Sequence, residues 1–219
     1  MKTRPGMSNF LATDLYGLTA SEFSRGRSNL ETAALMIEAG ITVIQYREKE
    51  LTLRQMYLEC LEIREMTRKA GATFIVNDHI DIALLVGADG VHIGQDDLPP
   101  EQVRKLIGDN LILGLSTHSP EQAQAAVQCG VVDYIGVGPI FSTQTKKHVC
   151  APVGLEYLDY VVQNIALPFV AIGGIKAHSI AEVKKHGAHT IALVSEIVGA
   201  VDIPLKVKQI RELLKPVTL

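Results

Sequence analysis

Short apolar runs recur along the chain and alternate with longer segments in which apolar residues keep helical spacing. The runs are rich in Val, Ile and Leu and show little alternation of apolar with polar positions, which is typical of parallel strands buried on both faces. The pattern therefore predicts eight strands in order, at residues 15–19, 42–48, 73–78, 90–94, 111–117, 133–139, 168–174 and 190–197.

The segments between these runs predict helices. Helical spacing occurs at 30–38, 53–63, 120–128 and 180–186, and glycines follow at positions 40, 71, 130 and 187. Glycine is common just past a helix because it adopts the left-handed conformation without steric cost. Alternating strands and helices require parallel strands joined by right-handed crossovers.

Eight βα units within 219 residues predict one α/β domain with a (β/α)₈ barrel, the TIM-barrel architecture. The similar phrases EAGITVIQ and KAGATFIV indicate a repeated unit rather than separate domains. We take residues 1–13 as an N-terminal extension and about 14–214 as the barrel. An open doubly wound sheet is the alternative, although such a sheet does not need eight units.

Composition and charge narrow the classes of function. The net charge of −3 gives no general attraction to nucleic acid or to an anionic membrane. No apolar run approaches the roughly 20 residues that span a bilayer, and the N-terminal residues lack the apolar core of a signal peptide. Three cysteines without close spacing argue against a disulfide framework and a zinc site, and they favour a reducing cytoplasm.

Polar residues gather where the predicted strands end. Active sites of (β/α)₈ barrels lie at the C-terminal ends of the strands, so this concentration indicates catalysis or binding. In chain order the residues are Gln45, Arg47, Glu48 and Lys49, then Asn77 and Asp78, Gln95, Asp96 and Asp97, Ser116, Thr117 and His118, Thr143, Thr145, Lys146 and Lys147, and finally Gly173, Gly174, Val194 and Ser195.

Two phosphate sites are expected among these residues. Gly173 and Gly174 after strand seven, with Ser195 at the end of strand eight, fit a monophosphate site, because backbone N–H groups approach an oxyanion closely where there is no Cβ. Asp78 and Asp97 end adjacent strands, and their carboxylates suit Mg²⁺. The alternative interpretations are a tight turn at the glycines and, at the other site, rim salt bridges.

Arg47 and Lys49 alternate on the predicted second strand, so both side chains are expected to point inward at the mouth. Paired cations beside Mg²⁺ would neutralise a polyphosphate. The chain lacks a P-loop and a G-x-G-x-x-G fingerprint, so neither ATP binding of that kind nor dinucleotide binding is indicated. Two phosphorylated substrates meeting over a metal indicate group transfer with departure of diphosphate.

Seven motifs, in order over about residues 14–200, together resemble the thiamine-phosphate synthase family. They are QYREK, VND, GADGVHIGQDDL, LGLSTH, DYIGVGPIFSTQTK, AIGGI and VSEI. The resemblance implies a transferase of thiamine biosynthesis that joins hydroxymethylpyrimidine diphosphate to a thiazole phosphate. It also makes a homodimer a reasonable expectation.

The resemblance also implies a role for each matching residue. Arg47, Lys49, Ser116 and Lys146 would be catalytic, and Asp78 and Asp97 would hold one Mg²⁺ per subunit. The substrates would be bound by Gln45, Tyr46, Arg47, Glu48, Lys49, Asn77, Ser116 and Lys146 on the pyrimidine side, and by Thr143, Gln144, Thr145, Gly174, Val194 and Ser195 on the thiazole side.

Two alternative functions remain open at this point. Thiazole tautomerase, a related barrel, uses a histidine after strand five, where His118 stands here. A non-catalytic sensor of a phosphorylated ligand would dispense with the metal carboxylates, yet Asp78 and Asp97 are both present. The chain departs from the usual family pattern at Ser142, His79 and His148, none of which is an expected ligand.

Overall fold

A computed structural model describes residues 4–143 and 150–215 of the chain. Its centre is an eight-stranded sheet in which every neighbouring pair is parallel and the strand order follows the sequence. The strands are β1 (Gly17–Leu18), β2 (Val43–Tyr46), β3 (Thr73–Asn77), β4 (Gly90–Ile93), β5 (Ile112–Thr117), β6 (Tyr134–Val137), β7 (Phe169–Ile172) and β8 (Thr190–Ala192).

Helices surround this sheet and connect its strands. They are α1 (Met7–Ala12), α2 (Asn29–Glu38), α3 (Leu53–Ala70), α4 (Ile80–Val86), α5 (Pro100–Ile107), α6 (Pro120–Gln128), α7 (Gly154–Asn164), α8 (Ile180–Lys185), α9 (Val194–Val198) and α10 (Ile203–Leu214). A parallel bridge between Leu15 and Ile191 brings the first strand beside the last. The predicted (β/α)₈ barrel is confirmed, and the open sheet is excluded.

Local sequence signals explain where the predicted helices begin and end. Ser28 and Thr52 each close a capping box at the start of α2 and α3, because each side chain accepts a backbone N–H that the first turn leaves unpaired. Ser119 caps α6 in the same way, without a reciprocal side chain. Gly71 ends α3 at φ 65°, in the left-handed region.

The interior of the barrel is closed at its N-terminal end by α1, which lies within the segment taken as an extension. Met7 and Phe10 of this helix are buried against strand residues that face the barrel axis. The Phe10 ring packs at a tilt of 44° against Tyr134, with 4.4 Å between ring centroids, and meets Tyr16 edge-on with 6.0 Å between centroids. The helix therefore forms part of the core.

The end of the eighth predicted strand is wrong. β8 stops at Ala192, and residues 194–198 form the short helix α9, so Ser195 lies in a first helical turn and not on a strand. Val194, Ile197 and Val198 have the i, i+3, i+4 spacing of a helix face, and the last two are buried. The apolar run thus conceals a change of period from strand to helix.

The second predicted strand is also too long. β2 ends at Tyr46, where a prediction through residue 48 would have continued the strand. Glu48 Oε1 accepts the backbone N–H groups of Lys49 at 2.6 Å and Glu50 at 2.9 Å, which turns the chain. Arg47 and Lys49 reach the mouth through this turn and not through strand alternation.

Candidate active site

Two adjoining cavities open at the C-terminal ends of the strands. We call one the acidic cavity, because six carboxylates line it at Glu22, Glu48, Glu50, Asp78, Asp96 and Asp97. We call the other the apolar cavity, because Leu18, Val170, Ile172, Ile175 and Ala192 form much of its wall. Both share five lining residues, namely Arg47, Asn77, Ser116, His118 and Cys150. Groups bound in the two cavities would therefore lie side by side.

Two carboxylates and one ammonium group meet in the acidic cavity. Lys49 Nζ forms an ion pair with Asp78 Oδ2, and Asp97 Oδ2 accepts the backbone N–H of Gly94 at 2.7 Å. Partial desolvation and the adjacent negative charge of Asp78 hold the pKa of Asp97 above its ordinary value, against the opposing hydrogen bond from Gly94. The negative charges of Asp78 and Asp97 repel each other, and a bound cation would reduce this repulsion.

The backbone of Asp78 is strained. Its φ of 61° lies in the left-handed region, which costs a non-glycine residue roughly 1–2 kcal/mol. The conformation is held because the Asp78 N–H donates to the carbonyl of His92 at 2.9 Å while the chain turns into α4. Strain of this kind is often found at functional sites, and here it fixes the Asp78 carboxylate at the mouth.

The loop that carries Arg47 and Lys49 is held by buried polar contacts. Glu48 Oε2 accepts from Ser21 Oγ at 2.6 Å and from Asn29 Nδ2 at 3.0 Å. Burial alone would raise the pKa of Glu48, but these bonds and the two backbone donors outweigh it and lower that pKa. Both oxygens of the Glu48 carboxylate are therefore occupied: Oε1 by backbone N–H groups of the turn, and Oε2 by the side chains of Ser21 and Asn29.

Glycines at β7 let two loops approach each other at the rim of the apolar cavity. Gly173 has a φ of 94°, and a Cβ there would lie 2.5 Å from the Pro139 Cα. Gly174 has a φ of 68°, and its Cβ would lie 2.5 Å from the Ser142 carbonyl oxygen. Both positions require glycine, because conformation and space each exclude a side chain.

A positive charge lies beside these glycines. Lys176 Nζ donates to Ser195 Oγ at 2.7 Å, and both residues are half-buried. Ser195 itself lines the apolar cavity together with Thr143, Gly174 and Val194. The expected monophosphate site thus has backbone N–H groups, two hydroxyls and a nearby ammonium group around one corner of the cavity.

The structure brings most of the predicted site residues together. Gln45, Arg47, Asn77, Ser116, Thr143, Gly174, Val194 and Ser195 line the apolar cavity, and Arg47, Glu48, Lys49, Asn77, Asp78, Asp97 and Ser116 line the acidic cavity. Gln144, Thr145 and Lys146 lie outside the described residues, as does His148.

Tyr46 is the exception, and its assignment to substrate binding is corrected here. Its side chain is buried, and its hydroxyl donates to Glu59 Oε2 of α3 at 2.7 Å. Successive strand residues point to opposite faces, so Gln45 enters the barrel while Tyr46 points toward the helices. Tyr46 packs the barrel wall and does not line either cavity.

His118 lines both cavities, and its contacts go beyond capping the next helix. Its backbone N–H donates to Gln122 Oε1 of α6 at 2.7 Å, as a loop residue before a helix commonly does. Its ring Nδ1 also forms a hydrogen bond with the carbonyl of Gly138, at the end of the neighbouring strand β6. The imidazole is therefore anchored to the loop after β6.

Sequence reasoning missed the polar residues that lie under Ser116. His92 of β4 and Tyr134 of β6 are buried inside the barrel, and both contribute to the wall of the apolar cavity. A signal was present, since His92 is a polar residue in the otherwise apolar strand GVHI. Gly114 and Gly136 on the neighbouring strands were a second signal, because they leave room for large partners.

Comparisons with known proteins identify the family of the chain. The family described as thiamine monophosphate synthase matches residues 15–197. The thiamine-phosphate synthase of Pelotomaculum thermopropionicum is 68% identical over 214 residues, which cover 98% of both chains. That of Lawsonia intracellularis is 55% identical and covers 95% of this chain and 94% of its own. The chain belongs to the thiamine-phosphate synthase family.

Membership in the thiamine-phosphate synthase family makes the protein a transferase enzyme. A solved structure, the thiamine phosphate pyrophosphorylase of Pyrococcus furiosus, superposes with a TM-score of 0.84 at 36% identity and covers 95% of this chain and 97% of its own. Among the residues that the structure describes, no helix combines the length and apolar character that a membrane crossing requires.

Proposed function

We propose that this family member joins hydroxymethylpyrimidine diphosphate to a thiazole phosphate, giving thiamine phosphate and diphosphate; from the carboxylated form of the thiazole, carbon dioxide is released as well. The observation that carries the proposal is the pair of adjoining cavities that share Arg47, Asn77 and Ser116. One cavity has the charge pattern suited to a metal-bound diphosphate. The other has an apolar wall for rings and a glycine-lined corner for a monophosphate.

The residues of the acidic cavity fit one Mg²⁺ per subunit. Asp78 and Asp97 offer carboxylate oxygens, which Mg²⁺ prefers. Partial desolvation, together with the negative charge of Asp78, raises the pKa of Asp97, and a bound cation would offset both effects. No group of three His, Cys, Asp or Glu side chains with metal-site geometry occurs within 4–143 and 150–215. Two protein carboxylates suit Mg²⁺ because it usually keeps waters and substrate phosphates as its other ligands. When bound, the ion would supply charge neutralisation for the diphosphate.

The chain's own charges would act on the departing diphosphate. Arg47 and Lys49 flank the acidic cavity from the same turn after β2, and a fixed positive charge stabilises a leaving group without reorganising in the reaction. The bond from the pyrimidine methylene carbon to the diphosphate oxygen breaks, and its electron pair leaves with the diphosphate. The electron-rich aminopyrimidine stabilises the resulting cationic carbon.

The new bond forms from the thiazole nitrogen to that methylene carbon. The nitrogen carries no proton in this form, so its attack requires no general base. The apolar wall would orient the thiazole ring, while Ser195 and the N–H groups near Gly174 would hold its phosphate. Catalysis would rest on orientation and on preorganised charge.

The test is product formation by the purified chain with both substrates and Mg²⁺, followed through the fluorescent oxidation product of thiamine phosphate. We expect product with the unaltered chain, loss of product in EDTA, and recovery with excess Mg²⁺. Asp78→Asn should lower the rate at least about 10²-fold, the loss typical of one electrostatic donor. The matched control is Asp81→Asn, which removes an exposed carboxylate of α4 outside both cavities.

Other outcomes would separate the alternatives. Product that persists in EDTA and in Asp78→Asn would contradict the metal role. A folded chain that forms no product, but isomerises the thiazole and loses that activity in His118→Ala, would be a tautomerase instead. Binding of a monophosphate in EDTA with neither activity would indicate a sensor.

A further inference from the structure

A continuous chain of hydrogen bonds crosses the inside of the barrel and ends at Ser116. Gln45 Nε2 donates to the Tyr16 hydroxyl at 2.9 Å, and the Tyr16 and Tyr134 hydroxyls lie 2.8 Å apart. The Tyr134 hydroxyl is 2.9 Å from His92 Nδ1, and His92 Nε2 is 2.9 Å from Ser116 Oγ. Each distance is normal for a hydrogen bond between such groups.

The series of hydrogen bonds has a direction of proton donation, which Gln45 sets. A side-chain amide nitrogen only donates, so the Tyr16 oxygen accepts from Gln45. The proton of Tyr16 then goes to the Tyr134 oxygen, the acceptor that the described residues offer it. Tyr134 in turn donates its own proton to His92 Nδ1.

An accepting Nδ1 fixes the state of the imidazole. A neutral ring carries one proton, so it must lie on Nε2, and Nε2–H donates to Ser116 Oγ. The serine oxygen thus accepts from below, and its own proton is directed elsewhere. Ser116 lies where the two cavities meet, and the open direction for its O–H is the cavity.

The surroundings keep the two tyrosines of the relay protonated. Burial raises the pKa of the Tyr16 hydroxyl and, together with the neighbouring Tyr16, that of Tyr134, so both remain donors at neutral pH.

Two glycines maintain the space in which His92 and Tyr134 meet. A Cβ at Gly114 would lie 2.2 Å from Tyr134 Cζ and 2.5 Å from His92 Nδ1. A Cβ at Gly136 would lie 3.4 Å from His92 Cε1. At Gly114 a methyl group would displace the two rings whose hydrogen bond joins the tyrosine pair to the histidine.

We propose that His92 is a positioning residue, which as the Nε2–H tautomer holds Ser116 Oγ so that the serine hydroxyl donates into the cavity to a ring nitrogen of the pyrimidine substrate. This inference rests on the proposed function for the identity of the acceptor. The relay itself rests on the four contacts alone. Tyr16 and Tyr134 act through His92 by fixing its tautomer.

The direct test is the tautomer of His92 in the substrate-free full-length chain. Long-range ¹⁵N–¹H correlation spectra distinguish Nε2–H, Nδ1–H and doubly protonated imidazoles. The chain has 7 histidines, and the signal that disappears in His92→Gln assigns the residue. We expect the Nε2–H pattern at neutral pH. An Nδ1–H or doubly protonated ring would overturn the proposal.

The functional test compares two buried tyrosines. Tyr134→Phe removes the donor to His92, and we expect the KM for the pyrimidine diphosphate to rise about fivefold, the factor of one hydrogen bond, with the KM for the thiazole phosphate unchanged. The matched control is Tyr157→Phe, which removes a buried hydroxyl bonded to Thr117 Oγ1 at 2.8 Å and not linked to Ser116. Both KM values should stay unchanged in this control.

Substitutions at His92 provide a second arm. His92→Gln keeps an amide that donates to Ser116 and should retain more pyrimidine affinity than His92→Leu, which has no donor. Equal pyrimidine KM values in Tyr134→Phe and Tyr157→Phe would overturn the proposed role, as would equal values in the two His92 variants. A chain that makes no thiamine phosphate would fail the proposed function, while the tautomer spectrum would still decide the His92–Ser116 contact.

Discussion

At the N-terminal end of the barrel, Arg4 and Arg104 both donate to Asp133, at 2.6 and 2.7 Å, and all three side chains are less than 10% exposed. At the C-terminal mouth the corresponding ion pair, Lys49 with Asp78, has side chains that are 49% and 20% exposed. One end encloses its charges in a closed network. The other leaves charges in solvent beside Asp97, a second carboxylate.

The same division holds for the backbone and for packing. Within the described ranges, the non-glycine residues with positive φ are Arg25 and Asp78, and both follow strands at the mouth. The aromatic contacts of Phe10 with Tyr16 and Tyr134 lie toward the opposite end. The strained backbone is therefore at the mouth, while the packing of Phe10 lies on the side of the two tyrosines that faces away from the mouth.

The largest expected effect comes from breaking the closed end. Phe10→Ala removes a ring that is 1% exposed and touches both tyrosines, so we expect the free energy of unfolding to fall by about 3–5 kcal/mol. Urea denaturation measures this change. Turnover at saturating substrate, measured where the variant remains folded, should fall by less than about twofold, because the reacting groups lie at the opposite end. A rise in the KM for the pyrimidine diphosphate would report displacement of Tyr134.

The adjacent residue provides the control for this substitution. Leu11 belongs to the same helix but is 56% exposed, so Leu11→Ala should change the free energy of unfolding by no more than about 0.5 kcal/mol. Equal losses in Phe10→Ala and Leu11→Ala would mean that α1 does not close the barrel. A loss of turnover that matches the loss of stability would show that the two ends are coupled.

The fold was readable from the sequence because its signal is repeated. Most βα units repeat the same apolar run and a glycine stop, so an error in one unit leaves the others intact. The errors occurred where a local contact overrides the pattern, at the Glu48 turn and at the helical spacing of Val194, Ile197 and Val198. The apolar residues of α9 are not distinguished by hydrophobicity from the strand β8 that precedes them.

The sequence predicted those residues of the candidate site that lie at the C-terminal ends of strands, because these ends share one rim of the barrel. That rule brought Gln45, Asp78 and Ser116 together without knowledge of any distance. It could not find His92, which lies one layer below the rim, because its partner Tyr134 comes from β6, two strands away in the sheet. Contacts between layers of the barrel depend on register and side-chain direction, which periodicity alone does not specify.

The second expected effect is at the mouth, where turnover should fall while the free energy of unfolding stays nearly unchanged, the reverse of Phe10→Ala. Asp78→Gly removes a carboxylate of the acidic cavity and relieves a φ of 61°. We expect turnover to fall at least about 10²-fold, as when one electrostatic donor is lost. The free energy of unfolding should change by less than about 1 kcal/mol, since relief of strain offsets the glycine's larger chain entropy and the lost ion pair. Steady-state kinetics and urea denaturation of the same preparation measure both.

Arg25→Gly is the matched control for the backbone. Arg25 has a φ of 59°, close to that of Asp78, but it lines neither cavity. Its substitution should shift stability by a similar small amount and leave turnover unchanged. A large loss of stability in Asp78→Gly would mean that this residue of the mouth also stabilises the fold.

The smallest expected effect concerns Glu48, a residue of the mouth whose charge is buried and hydrogen-bonded, as the charges at the N-terminal end are. Glu48 is 6% exposed, and four hydrogen bonds outweigh its burial to lower its pKa. The ionised form is therefore favoured by folding, and Glu48→Gln should lower the free energy of unfolding at pH 7 by about 2 kcal/mol, the scale of hydrogen bonds to a charged group.

The sign of the pH dependence follows from the lowered pKa. The stabilisation by Glu48 is fully present above the unfolded-state pKa of about 4.3 and is lost as the pH falls through the lower folded-state pKa. The difference in stability between the unaltered chain and Glu48→Gln should therefore shrink as the solution is acidified below pH ~4.3, measured by urea denaturation at each pH. Glu65→Gln, at an exposed carboxylate paired with Arg68, should cost no more than about 1 kcal/mol at pH 7. A difference for Glu48→Gln that stays constant with pH would mean that the loop carrying Arg47 and Lys49 is held by shape alone and not by the Glu48 charge.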